Sequence, residues 1–175
     1  TIMALNIISK LNKKTLIVVH KEFLLRQWME RIETFLPNAK VGRIQGEIID
    51  IEGKDIVIGM LQSLSMKDYP ISVFKSFGLS VYDECHHMSA EVFCKALFKI
   101  VTKYMLGLSA TMKRKDNLSK VFKMFIGPIV YTKKREGGDG VEVQVIDYEN
   151  NDPEYSKVEL NWKGHVHYSK MIKKI

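Results

Sequence analysis

Apolar positions in this chain fall into two alternating patterns. Leu16-Ile17-Val18-Val19, Ile56-Val57-Ile58, Leu79 to Tyr82 and Tyr104 to Leu108 are short continuous runs. Such runs mark strands covered on both faces. Between the first two, Leu24, Leu25, Trp28, Ile32 and Phe35 repeat at helical spacing, with Arg26, Glu30, Arg31 and Glu33 on the opposite face. Pro37-Asn38 closes that helix. Val92, Phe93, Ala96, Leu97 and Ile100 predict a second helix over 90–100. Residues 2–11 differ, because Ile2, Met3, Ala4, Leu5, Ile7, Ile8 and Leu11 leave little room for a polar stripe. A helix buried on most sides is expected there. A shorter strand is expected near 40–44, a turn at Gly53-Lys54, and a short helix or loop from Leu61 to Leu64. Residues 46–50 are ambiguous, and a helix over 118–125 is closed by Gly127-Pro128. Strands alternating with helices predict an α/β domain with a mostly parallel sheet and helices on both faces.

Past residue 128 the pattern changes. Ile129-Val130-Tyr131 and Val141, Val143 and Val145 bracket the glycine-rich segment from Glu136 to Gly140, which reads as a hairpin. The stretch after it is polar and contains Pro153, and Val166 to Ile175 starts a helix. The expected organisation is therefore a domain over 1–128, a hairpin or strand extension over 129–148, and a linker leading into a further domain over 149–175.

At 175 residues the chain suits one domain with a full core. No apolar run reaches bilayer-spanning length, so a membrane is not an expected partner. No secretory leader pattern opens the chain. Cys85 and Cys94 are the two cysteines, which fits a reduced, intracellular setting better than a disulfide framework. Net charge is +7, from 27 Lys and Arg against 20 acids. That balance favours a polyanionic partner, although a solvated lysine-rich surface gives the same count.

The chemistry concentrates where the strand ending at Tyr82 delivers Asp83 and Glu84. Ligand sites of open parallel sheets form at that end of the strands. Adjacent carboxylates there can hold magnesium and orient a water, or can simply cap the next helix. Ser109-Ala110-Thr111 leaves another strand with two small hydroxyls. Cys85, His86, His87 and Cys94 raise zinc as a rival, but the spacing is neither C-x₂-C nor H-x₃-H. Cys94 also fits a small core residue, as Trp28 on its apolar helix face fits the core. His165 and His167 read as solvated.

Together these segments resemble the superfamily 2 helicases. Asp83-Glu84-Cys85-His86 is similar to their motif II, the DExH box, and Ser109-Ala110-Thr111 to motif III. Leu16 to Trp28, with His20-Lys21-Glu22 and Gln27-Trp28, resembles motif Ia. Ile58 to Leu64, including Gln62 and Ser63, sits where that family places a strand end touching nucleic acid. The likeness runs from Thr1 to about Tyr131 and is strongest to the XPB-like branch, which includes viral relatives and restriction-enzyme motors.

The resemblance implies a RecA-like first motor domain that uses ATP and Mg²⁺. Asp83 would hold Mg²⁺, Glu84 would activate the attacking water, and His86 would link the nucleotide to motif III. Ser109, Ala110 and Thr111 would couple hydrolysis to nucleic acid, DNA ahead of RNA. Thr1 would be the last residue of the phosphate loop and a Mg²⁺ ligand, or simply a helix N-cap. His20, Lys21, Gln62, Ser63, Lys113, Arg114 and Lys115 would face nucleic acid, with sequence-blind phosphate contacts from the basic residues. Lys115 stands where the XPB-like branch carries the glutamate of an Arg-Glu-Asp signature, so a signature-specific role is not implied. A second RecA-like domain of the same parent chain would complete the site, which leaves this stretch alone inactive. The rival readings are a non-catalytic nucleic-acid-binding module, a restriction-type translocase subunit, and a small metallohydrolase.

Overall fold

The computed structural model describes residues 1–84, 90–110, 123–133, 157–162 and 164–172. The chain divides into two compact units, Thr1–Thr132 and Lys133–Ile175.

In the first unit a six-stranded sheet has the order β3-β2-β4-β1-β5-β6. Its strands are β1 (Thr15–Val19), β2 (Val41–Gln45), β3 (Ile48–Ile49), β4 (Ile56–Met60), β5 (Leu79–Tyr82) and β6 (Tyr104–Gly107). All neighbours are parallel except β3, which turns back antiparallel on β2. The central position of β1, between β4 and β5, explains its wholly buried Thr-Leu-Ile-Val-Val run. The ambiguous 46–50 segment is the β2–β3 hairpin, turning at Gly46 with φ +59°.

Helices cover both faces, and strand alternation assigns residues to each. Ile17, Val19, Ile56, Ile58, Leu79 and Val81 pack with α1 (Ile2–Leu11) and α2 (Glu22–Phe35). Leu16, Val18, Val57 and Tyr82 face the other way, toward α3 (Leu61–Met66), Phe74, Phe77 and α4 (Ala90–Lys99). The expected α/β layering therefore holds.

Helix α1 is buried on one side only. Ala4, Leu5 and Ile8 are in the core, whereas Ile2 and Met3 are more than half exposed. The expectation of burial on most sides is corrected: a helix resting on one sheet face covers one stripe, whatever its composition.

Close packing shapes the start of β2. A Cβ on Gly42 would collide with the carbonyl oxygen of Asp50, so the loop after β3 crosses at backbone contact.

Of the expected hairpin, Ile129, Val130 and Tyr131 carry no ladder among the described residues, and 134–148 lie outside them. The predicted helix over 118–125 is described only at 123–125, as one helical turn. In the second unit, Leu160 bridges Val166 antiparallel around a turn at Gly164, φ +77°. There His165 N donates to Asn161 Oδ1 at 3.0 Å, and α5 (Tyr168–Ile172) follows.

Candidate functional site

Parallel strands deliver their next residues to one edge, and the register says which ones meet there. Val19 pairs with Met60, Val18 with Tyr82, and Tyr82 with Gly107. His20 and Lys21, Leu61 to Ser63, Asp83 and Glu84, and Leu108 to Ala110 therefore leave adjacent strands at the carboxyl edge. Adjacent strands lie about 4.8 Å apart, so β4 to β6 spans roughly 15 Å. The crossover from β1 runs to β2 on one side, and the crossover from β4 passes β1 to reach β5 on the other, so the chain changes direction across the sheet beside β1.

Asp83 is the most tightly built residue of the edge. Leu79 and Val81 face α1 and α2, and Asp83 continues that alternation, so its carboxylate turns under α2. The Trp28 indole Nε1 donates to Asp83 Oδ2 at 2.7 Å, and the Glu84 backbone N–H donates to Oδ1 at 3.1 Å. Asp83 N in turn donates to the Val18 carbonyl at 3.0 Å. Asp83 is 8% exposed, and Trp28 is fully buried. Burial of a carboxylate is tolerable because both oxygens have donors.

Glu84 leaves the strand with φ +49°, a left-handed backbone rare for a residue with a Cβ. Such a conformation costs roughly 1–3 kcal/mol and persists only where its surroundings impose it. It turns the chain sharply at the residue next to Asp83. Just below, burial raises the Tyr82 hydroxyl pKa well above its ordinary value, against a smaller opposing contribution from the Ser80 hydroxyl. Ser80 Oγ and Thr102 Oγ1 lie 2.7 Å apart, extending this polar chain toward β6.

The flanking strand ends are braced. Gln62 Nε2 donates to the His20 carbonyl at 2.8 Å, joining the β4 and β1 exits. Ser63 Oγ accepts from Gly46 N at 2.9 Å, and Tyr69 Oη donates to the Gly46 carbonyl at 2.6 Å. Gln62 is exposed and Ser63 half-buried, each with a side-chain hydrogen bond to backbone. Lys21 is exposed, at the N-cap of α2, with its ammonium 5.9 Å from the ring of the exposed Phe23.

Thr1 occupies the N-cap position of α1, and its side chain makes no capping hydrogen bond. Residues 12–14 turn the chain back from α1 into β1. A helix of 10 residues is about 15 Å long, close to the length of β1, so the start of α1 returns toward the carboxyl edge. Ser109 and Ala110 follow β6 at the same edge. His86, Thr111, Lys113, Arg114 and Lys115 lie outside the described residues, as do Cys85 and His87 of the zinc reading. Among the described residues no group of His, Cys, Asp and Glu could hold a metal on its own, and Cys94 is half-buried on α4. No described helix is long and apolar enough to cross a membrane.

Trp28 is the residue that reading the sequence missed. It is core as expected, yet its N–H is a contact of the site. A buried indole needs an acceptor, and that signal was present in the chain.

Comparison with known proteins finds relatives in sequence and neighbours in fold. The putative ATP-dependent RNA helicase of Acanthamoeba polyphaga mimivirus is 37% identical over 158 residues, covering 90% of this chain and 30% of that protein. The putative helicase of Invertebrate iridescent virus 3 is 32% identical over 133 residues, covering 73% of this chain and 40% of that protein. The chain thus spans about a third of the length of these curated relatives.

In fold it resembles a hypothetical ATP-dependent RNA helicase from Sulfolobus tokodaii, with a TM-score of 0.57 at 24% identity over 71% of this chain and 41% of that one. The UvsW helicase of bacteriophage T4 gives 0.54 at 23% identity, over 65% of this chain and 43% of the other. The expected RecA-like fold is the one these neighbours share. A model of the family described as "Type III restriction enzyme, res subunit" matches residues 1–114. With that match over most of its length, the chain belongs to the type III restriction enzyme res subunit family of helicase-type domains.

Proposed function

We propose that this chain is the first motor domain of an ATP-dependent superfamily 2 helicase or translocase of the XPB-like, DExH-box kind. The observation that carries the reading is the buried Asp83 carboxylate at the β5 exit, fixed from both sides and followed by Glu84 in a forced turn. The edge around it supplies a hydroxyl end at Thr1, an exposed lysine at Lys21 and the β6 exit at Ser109. That combination suits phosphoryl transfer to water, where positioning and charge neutralisation do most of the catalysis.

Asp83 fits a hard cation such as Mg²⁺. Each carboxylate oxygen accepts one hydrogen bond, which leaves acceptor capacity on both. Oxygen donors on a single carboxylate, with water filling the other positions, are the usual protein share of a Mg²⁺ site. Asp83 would hold the ion, with Thr1 as second oxygen ligand. Bound Mg²⁺ would neutralise charge on the phosphate oxygens. Glu84 would orient the attacking water and take its proton, and His86 would carry the nucleotide state toward Ser109, Ala110 and Thr111.

Lys21, Lys113, Arg114 and Lys115 would hold phosphates of the strand without reading its bases. His20, Gln62 and Ser63 would serve the same surface, where the Gln62 side chain braces the His20 carbonyl and the Ser63 hydroxyl the Gly46 amide. The name of the mimivirus relative favours RNA as that strand, against the DNA expected from the sequence. A second RecA-like domain of the parent chain would supply the other wall of the nucleotide cleft.

The test is ATP hydrolysis by the full-length protein with Mg²⁺, and with DNA or RNA added in turn. Glu84→Gln should lower the stimulated rate by roughly 10²–10⁴-fold while leaving strand binding in place. Stimulated turnover that Glu84→Gln leaves at the wild-type level would contradict the reading.

A further inference from the structure

We propose that Trp28 is a positioning residue for Asp83, and that α2 thereby ties occupancy of the nucleic-acid edge to the geometry of the nucleotide edge. The inference rests on the motor-domain reading above and adds a link within it. Its basis is the hydrogen bond from Trp28 Nε1 to Asp83 Oδ2, at 2.7 Å and wholly inside the protein.

Three features make this bond more than packing. First, it is selective: the indole N–H is a donor with one hydrogen, and it is spent on a carboxylate. A charge-assisted bond of this length in a water-poor setting holds the carboxylate plane strongly. Second, it fixes the oxygen that the backbone does not. Glu84 N–H holds Oδ1, so losing the indole would remove the donor that holds Oδ2. Third, it is carried by the element that begins at the neighbouring strand exit, that of β1. Helix α2 starts directly after His20 and Lys21, with Lys21 at its N-cap, and Trp28 lies in its second turn.

Leu24, Leu25, Trp28 and Ile32 seat α2 against the sheet. A strand gripped by Lys21 and neighbouring backbone therefore loads the helix that holds Asp83. Movement of packed helices in small, discrete steps is how closely packed cores transmit such loads.

The experiment uses the full-length protein labelled with ¹⁵N-tryptophan, observed by its indole N–H signals. The Trp28 signal is the one lost in Trp28→Phe, which keeps an aromatic ring and removes the donor. Two additions are made separately: Mg²⁺ with a non-hydrolysable ATP analogue, and a single-stranded oligonucleotide without nucleotide. Both should shift the Trp28 signal, and Trp28→Phe should raise the Mg²⁺ concentration for half-maximal hydrolysis on the order of ten-fold.

Should Trp28→Phe fail to fold, the wild-type signal decides alone, assigned as the one displaced by Asp83→Asn. A Trp28 signal that stays put with oligonucleotide, or a wild-type Mg²⁺ requirement in folded Trp28→Phe, overturns the inference. If Asp83→Asn leaves Mg²⁺-dependent hydrolysis unchanged, the motor-domain reading itself fails, which separates the two failures.

Discussion

The two edges of the sheet are made from the same strands and have opposite characters. At the amino edge, Ile8, Asn12, Lys13, Phe35, Pro37 and Asp55 line a groove of about 560 Å³. Its charged groups hold structure together. Lys14 Nζ donates to the Ile51 carbonyl at 2.7 Å and sits 5.3 Å from the Phe77 ring. Asp55 Oδ2 accepts from the Lys40 backbone N at 2.8 Å. The carboxyl edge holds a buried carboxylate and a glutamate in a left-handed turn. The groove at the amino edge is thus lined by groups with structural partners. Placement of costly features, a buried charge and a strained backbone, points to the other.

The contrast can be tested by asking which edge tolerates which change. The largest structural effect is expected at the amino half of β2. Gly42→Ala would drive a methyl group into the Asp50 carbonyl. It should destabilise the protein by about 1–3 kcal/mol, as overpacking does. A lower urea midpoint with an unchanged KM for ATP would place the whole effect in folding. A changed KM with no loss of stability would blur the distinction between the edges.

A smaller effect should appear at the carboxyl half, and only in alkali. Burial raises the Tyr82 hydroxyl pKa above its ordinary value of 10.0, so the unfolded chain loses that proton first. The stability this group contributes is complete below pH 10 and falls as pH rises further, by at most about 1.4 kcal/mol per pH unit. Tyr82→Phe should flatten that part of the decline relative to wild type. Denaturant melts of the two proteins between pH 9 and about 11 would show parallel curves if Tyr82 were not the group responsible.

Much of this was legible in the chain. β1, β4 and β5 announce themselves because strands covered on both faces need unbroken apolar runs, and α2 because it needs a stripe. The location of the candidate site follows from the same fact, since Asp83 directly ends such a run. Other parts depend on what packs against what. The exposed Ile2 and Met3 show that apolar composition around α1 is not burial. The β3 strand is two residues long, too short for a period to register. The Trp28–Asp83 bond joins residues 55 apart in sequence and exists only because α2 crosses the β5 exit.

The central claim is that work is done at the carboxyl edge and support is given at the amino edge. Two isosteric substitutions in the full-length protein compare them directly: Asp83→Asn and Asp55→Asn. The measurement is the initial rate of nucleic-acid-stimulated ATP hydrolysis at saturating Mg²⁺. The account predicts that Asp83→Asn loses roughly two orders of magnitude or more, whereas Asp55→Asn stays within about two-fold of wild type. Equal losses in both variants, or a loss confined to Asp55→Asn, would contradict it.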